Sequence, residues 1–379
     1  MAETGKSDPT PRLLVCYVAG EQAMDRYPTM VRYLQIGLLD EAIDAVLLAP
    51  QHPRAETLIG GPTPLLAYAR SRWPFGRSAH RRLLGQVQAH LEGRTAGGPV
   101  LVHCLDAESF VMAAELAQAL GAELIAFVAS LTDVRVIATS LGVERISTIV
   151  TPSMRLRDAL NNSPLAGVTT EVIRPGAGVA SSFAAFASSQ VAPSLIFAGE
   201  LVGDSGVDSL LRAVRRVLQY HPNLLAFIVG QGPAEPRLRR LTEALDMNAN
   251  VIFAGPLDHW RRVIESADLF CLPRARAAFS EIPIHALAVG LAIVAVDNSV
   301  YDGLEDERTA LLFPEHDEAR LADQICRLLD DRELTRRLAA AAQAYARANH
   351  SIARMVAEHV RIYRRLESRA KTIPLAAAR

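Results

Sequence analysis

Short apolar runs, each closed by turn residues and followed by a helical pattern, recur along the whole chain. No other feature restricts its fold so much. In the first half the runs are Leu13–Ala19, Ala45–Ala49, Pro99–His103, Glu123–Val128, Thr148–Thr151 and Glu171–Ile173. They resume as Ser194–Ala198, Leu224–Val229, Val251–Ala254, Leu269–Leu272, Ala292–Val296 and Ala310–Phe313. A strand apolar at nearly every position is buried on both faces, as in a sheet covered by helices on either side. Helical patterns separate the runs at Thr29–Ile43, Glu108–Leu120, Val207–Gln219, Pro236–Leu245, Trp260–Glu265, Pro283–Ala288 and Glu318–Leu329. Strand–helix alternation predicts parallel strands joined by right-handed crossovers.

The chain has 379 residues, enough for two such domains. Gly176–Pro193 is small, polar and turn-rich, as a connection between domains would be. The expected organisation is a disordered tail (1–12), a Rossmann-like domain (13–180), a linker (181–193), a second Rossmann-like domain (194–350), and a C-terminal helix with its tail (351–379). Two doubly wound domains with a cleft at the carboxyl ends of their strands is the fold expected, because ligands bind at those ends.

Composition removes several functions. The net charge of -1 is unlike that of a nucleic-acid protein. Lys6 and Lys371 are the only lysines, so chemistry needing a lysine in the folded body is excluded. Cys16, Cys104, Cys271 and Cys326 lie far apart without ligand spacing, so no metal site or disulfide framework is expected. No run of about 18 apolar residues reads as a membrane span. The polar start MAETGKSDPTPR lacks an export signal, which argues for the cytoplasm.

Five segments of the second half resemble, in order, the donor half of glycosyltransferase family 4. LIFAGELVGDSGVDSLLRAV (195–214) looks like the Gly-Arg-Leu…Lys-Gly segment and LLAFIVGQGP (224–233) like the strand ending in Gly-x-Gly-Pro. NVIFAGPL (250–257) resembles the Val-x-Phe-x-Gly strand. Residues 267–297 resemble Ala-Asp…Pro-Ser…Glu-Gly-Phe-Gly…Glu-Ala-Met-Ala, and TALLF (309–313) resembles Thr-Gly-Leu-Leu-Val. The resemblance implies a GT-B fold and a retaining transfer of sugar from a nucleotide diphosphate, without a metal. The donor would be UDP-, GDP- or ADP-linked, and the acceptor a glycan or a lipid-linked molecule.

By the same resemblance Gly230 and Gly232 sit near the nucleotide, and the backbone of Phe279 and Ser280 faces the donor. The columns of the diphosphate-binding arginine and lysine hold Glu200 and Ser205 instead, and those of the paired glutamates hold Ala277 and His285. Glu281 and His285 remain as polar candidates at the sugar and ribose, and Arg274 and Arg276 as substitute cations. Losing two cations beside a leaving diphosphate costs several kcal/mol of transition-state stabilisation. The same changes therefore also fit a catalytically inactive homologue that scaffolds or regulates glycan assembly.

The first half matches more thinly. Residues 102–127, 146–160 and 172–179 resemble the acceptor half, with His103 in the first column of a histidine pair and Leu105 in the second. His103 is either a catalytic-site group or a hydrogen-bonded structural histidine. Segment 68–91 mixes Arg70, Arg72, Arg77, Arg81 and Arg82 with Trp73 and Phe75. It suits either peripheral contact with an anionic membrane or a solvated basic helix.

Overall fold

The computed structural model describes residues 12–68, 84–91, 98–182, 184–186, 192–255, 260–274 and 278–370. The chain divides into two compact units: Met1–Gly176 with Ile352–Arg379, and Ala177–Ser351.

Unit 1 holds β1 (Leu14–Val18), β2 (Asp44–Pro50), β3 (Leu65–Tyr68), β4 (Val100–Cys104), β5 (Glu123–Phe127), β6 (Ile146–Thr151) and β7 (Thr170–Val172). They form one sheet in the order β3-β2-β1-β4-β5-β6-β7, parallel at every pairing. Its helices are α1 (Glu21–Arg26), α2 (Pro28–Leu39), α3 (the described helical residues 84–91), α4 (Phe110–Leu120), α5 (Leu131–Ala138) and α6 (Met154–Asn161). The strand order reverses between β1 and β4, so the carboxyl ends of those two strands form a topological switch point. All five residues of β1 and of β4 are buried, which accounts for their unbroken apolar character.

Unit 2 holds β8 (Ser194–Ala198), β9 (Leu225–Val229), β10 (Val251–Phe253), β11 (Leu269–Leu272), β12 (Ala292–Val296) and β13 (Leu311–Phe313) in the order β10-β9-β8-β11-β12-β13, again all parallel. Its switch point is between β8 and β11. The helices are α7 (Val207–Val217), α8 (Glu235–Ala244), α9 (Trp260–Glu265), α10 (Ile282–Val289), α11 (Glu318–Asp330) and α12 (Arg332–Asn349). Leu195 and Phe197 of β8 share an apolar layer with Leu210, Leu211 and Val214 of α7 and Ile325 of α11. Asp317 and Asp331 cap α11 and α12, accepting from the backbone N–H of Arg320 and Leu334 at 2.8 and 2.9 Å. In α10 every residue is buried, so it has no polar face, and Gly290 ends it at φ 73°.

The last helix, α13 (Ile352–Glu367), belongs to unit 1. It lies against α2, where the missing side chain of Gly37 makes room for Val356. It also covers the face of the sheet that carries Tyr17 and His103.

The alternating pattern did not predict β3, α1, α5, α6 or α12. β3 has four residues, three of them partly exposed, and follows two prolines. In α12 much of the buried face is alanine, which contrasts little with its surroundings.

Asp268 ties the start of unit 2 together. Its carboxylate accepts from the backbone N–H of Phe186 (2.8 Å), the N–H of Ser194 (2.8 Å) and the Ser194 hydroxyl (2.9 Å). Asp268→Ala strands three donors at the head of the central strand. It is expected to cost unit 2 about 2–4 kcal/mol, measured by urea denaturation. A loss below about 0.5 kcal/mol would mean that water replaces the carboxylate freely.

Candidate functional site

The loops at the carboxyl ends of β8, β9, β11 and β12 carry most of the residues singled out in the second half. The first two loops are joined as an extension of the sheet. Gly199 N–H donates to Val229 O at 3.0 Å, Leu201 N–H to Gln231 O at 3.0 Å and Ala234 N–H to Leu201 O at 2.8 Å. Gly230, at φ 141°, passes so close to the Gly199 carbonyl that a Cβ would run into it, and Gly232 meets the Leu201 carbonyl in the same way. Glycine is therefore required by sterics here as well as by backbone angle.

Beyond that ladder, Glu200 is exposed and Ser205 is buried. The Ser205 hydroxyl has no hydrogen-bond partner. Gly206, at φ 77°, opens α7 against the loop after β11, where an added Cβ would lie 2.9 Å from the Arg274 Cβ. Arg274 therefore stands at the switch point, next to the start of α7. Its Nε lies 3.4 Å from Glu315 Oε1, and its side chain is about one-third exposed. Arg276 and Ala277 lie outside the described residues, as does most of segment 68–91 (residues 69–83).

The start of α10 is bonded in part from within. Ser280 N–H donates to Tyr301 Oη at 2.9 Å, and that hydroxyl donates to Ser280 O at 3.2 Å. Ile282 N–H donates to Ser280 Oγ at 3.3 Å, Pro283 has no N–H, and His285 N–H donates to Glu281 O at 3.0 Å. The Phe279 ring is buried and packs on Tyr301 with centroids 5.4 Å apart. Glu281 and His285 are both buried, and His285 Nε2 faces Glu265 Oε1 of α9 at 3.4 Å. The Ser280 backbone, expected to face the donor, thus already has its N–H bound by Tyr301. Tyr301 had no signal in the sequence, because it lies 21 residues from the peptide it holds.

His103 belongs to the core of unit 1. In β4 it stands beside Tyr17 of β1, and its Nδ1 is 2.8 Å from Tyr363 Oη of α13. Tyr363 Oη is 3.1 Å from Tyr17 Oη. The His359 ring lies 5.8 Å from that of His103, and His359 Nδ1 is 2.9 Å from Met355 O. Burial, reinforced by His359, holds His103 well below the ordinary imidazole range. This is the setting of a packed, neutral histidine.

The switch point of unit 1 is closed by carboxylates. Asp106 accepts from Gly20 N–H (2.7 Å), Ala23 N–H (3.2 Å), Ser109 N–H (2.9 Å) and the Ser109 hydroxyl (2.8 Å). Glu108 takes Glu21 N–H at 3.0 Å. Burial raises the Asp106 carboxyl, and the bonds from Ser109, Gly20 and Ala23 oppose that rise.

Comparison with known proteins bears on unit 2 most directly. Residues 182–345 match the glycosyl transferases group 1. The exopolysaccharide phosphotransferase of Streptomyces coelicolor is 32% identical over 152 residues, 39% of this chain and 16% of that protein. The D-inositol 3-phosphate glycosyltransferase of Streptomyces bingchenggensis is 30% identical over 223 residues, 53% of this chain and 48% of that protein. The matches thus span at most about half the length of these curated relatives. Anabaena HepE, solved with UDP-glucose, superposes with a TM-score of 0.75 at 16% identity, covering 93% of this chain and 99% of that one. The fold is of the GT-B type, with two parallel-sheet α/β units.

Proposed function

We propose that unit 2 binds a UDP-, GDP- or ADP-linked sugar and that the protein transfers the sugar to a glycan or lipid-linked acceptor. The observation that carries this reading is Arg274 at the β8/β11 switch point, beside the start of α7, within the segment that matches the glycosyl transferases group 1. It supplies a cation to a diphosphate even though Glu200 and Ser205 replace the family's basic pair. Its tie to Glu315 is partly exposed, and such pairs are worth about 0–1 kcal/mol. A charge-assisted bond to a phosphate is worth about 1.5–3 kcal/mol, so the diphosphate wins the competition. Glu200 is exposed, and its repulsion is screened over about a Debye length of 8–10 Å.

In the transfer, the bond between the sugar's anomeric carbon and the diphosphate breaks. The acceptor hydroxyl forms the new bond with configuration retained, and its proton leaves with the diphosphate. Positioning and stabilisation of the departing charge carry the chemistry. HepE with UDP-glucose shows such a donor on the same fold, and the D-inositol 3-phosphate glycosyltransferase is named for glycosyl transfer. Among the described residues no helix is long and apolar enough to cross a membrane, and no group of three or more His, Cys, Asp or Glu could hold a metal ion.

Calorimetry with UDP, GDP and ADP tests the reading. One of the three should bind at micromolar Kd, and Arg274→Ala should weaken it about tenfold. Absence of binding by all three would end the donor reading. A second reading, a homologue that binds partners in glycan assembly without transferring sugar, is favoured by one observation. Ser205, in the family's lysine column, is a buried hydroxyl. Nucleotide binding without donor hydrolysis or transfer would select it.

A further inference from the structure

Tyr301 does something that packing alone does not require. Its ring packs against Phe279, which is 1% exposed and lies tilted to it with centroids 5.4 Å apart. Its hydroxyl bonds both backbone groups of Ser280, accepting from Ser280 N–H at 2.9 Å and donating to Ser280 O at 3.2 Å. One hydroxyl thus uses both of its hydrogen-bonding roles on one residue of the loop between β11 and α10.

Two of the neighbouring donors are also engaged. Ile282 N–H is bound by Ser280 Oγ, Pro283 has none, and His285 N–H is bound by Glu281 O. The Ser280 N–H is therefore the donor whose release depends on a side chain from a different loop. Tyr301 is 4% exposed, so its hydroxyl cannot swing into water without moving the ring off Phe279. A ligand oxygen that needs the Ser280 N–H has to displace a buried partner that is already at good distance.

We propose that Tyr301 is a positioning residue that stands in for a ligand oxygen at the Ser280 peptide, holding the 278–281 loop ordered and lowering the affinity of unit 2 for phosphate-bearing ligands. The inference rests on the donor-site reading, and it adds a competitor built into the fold. Binding of a nucleotide diphosphate then becomes an exchange: the Tyr301 hydroxyl leaves the Ser280 N–H as a phosphate oxygen arrives.

The test uses the full chain with Tyr301→Phe, which keeps the ring on Phe279 and removes only the hydroxyl. Affinity for UDP, GDP and ADP is measured by calorimetry, and exchange of the Ser280 amide by NMR. The variant should bind the preferred nucleotide about tenfold more tightly than the parent, because it has no neutral Tyr301 hydrogen bonds to give up on binding. Its Ser280 amide should exchange faster than the parent's when free and become protected again when the nucleotide is added. A role confined to stability would instead weaken binding or leave it alone.

Equal or weaker nucleotide binding by the variant, with the parent binding normally, overturns the role of Tyr301 and leaves the donor site standing. No binding by either chain overturns both. A measurement on the parent covers the case of a variant that does not fold. Saturating nucleotide should shift the Ser280 amide resonance, and an unmoved resonance refutes the exchange.

Discussion

Gly230→Ala is expected to cost unit 2 more than about 4 kcal/mol and to abolish nucleotide binding with it. Two costs combine. The backbone at φ 141° is one that residues with a Cβ avoid, and holding such a conformation costs about 1–3 kcal/mol. The added methyl would also collide with the carbonyl of Gly199, with the Gly199 carbonyl carbon only 2.9 Å away. Because the obstacle is backbone, no side chain can rotate aside. Relief requires the β8 and β9 loops to separate, breaking the hydrogen bonds Gly199 N–H to Val229 O and Leu201 N–H to Gln231 O. Gly203 in the same loop supplies the control. Its Cβ would meet nothing within 4 Å, so Gly203→Ala should change stability by no more than about 0.5 kcal/mol. Urea denaturation of both variants decides it, and a Gly230→Ala chain as stable as the parent would refute the close approach.

The second large effect is acid destabilisation of unit 1. His103 and His359 are fully buried between the sheet and α13. Burial lowers His359 to about 4 and His103 well below its ordinary value. The Tyr17 and Tyr363 hydroxyls and the Met355 carbonyl around them are neutral, and the Met355 carbonyl and the Glu358 carboxylate offset the effect of burial at His359 only in part. Above about pH 7 both imidazoles are neutral in the folded and the unfolded chain, and they contribute no pH dependence. As the pH falls below about 6.5 the unfolded chain takes up protons that the folded chain refuses, so stability declines, for His359 through the window down to about pH 4. At pH 5 the expected loss from His359 alone is about 2 kcal/mol, and His103 adds to it in the same direction. Denaturation at pH 7.5 and pH 5 measures it, and a His103→Asn, His359→Asn chain should lose most of the difference. If parent and double variant share one pH profile, the histidines are not the cause.

Much of the framework was legible because burial on both faces leaves a composition that few other structures produce. The runs at Leu13–Ala19, Pro99–His103 and Ala292–Val296 correspond to β1, β4 and β12, whose residues are almost wholly buried. β3 escaped because edge position leaves its side chains partly exposed and removes the contrast. The Gly-x-Gly after β9 stood out in the sequence, but what requires it, the carbonyls of Gly199 and Leu201, lies on another strand's loop.

Side-chain environments were the least legible part. A resemblance can say that Arg274 and His285 stand in a loop and on a helix. It cannot say that Glu315 and Glu265 stand beside them. His103 shows the limit most clearly, since its partner Tyr363 is 260 residues away and no local pattern couples the two.

That separation has a consequence for how the chain is made. Unit 1 is discontinuous: Tyr17 and Tyr363, which meet in its interior, are separated by 346 positions, with the whole of unit 2 between them. As the polypeptide leaves the ribosome, the amino-terminal sheet waits with its Tyr17 and His103 face uncovered, while unit 2 has all its strands and can fold first. Only when α13 emerges does the earlier half close, so the part synthesised first is the part completed last.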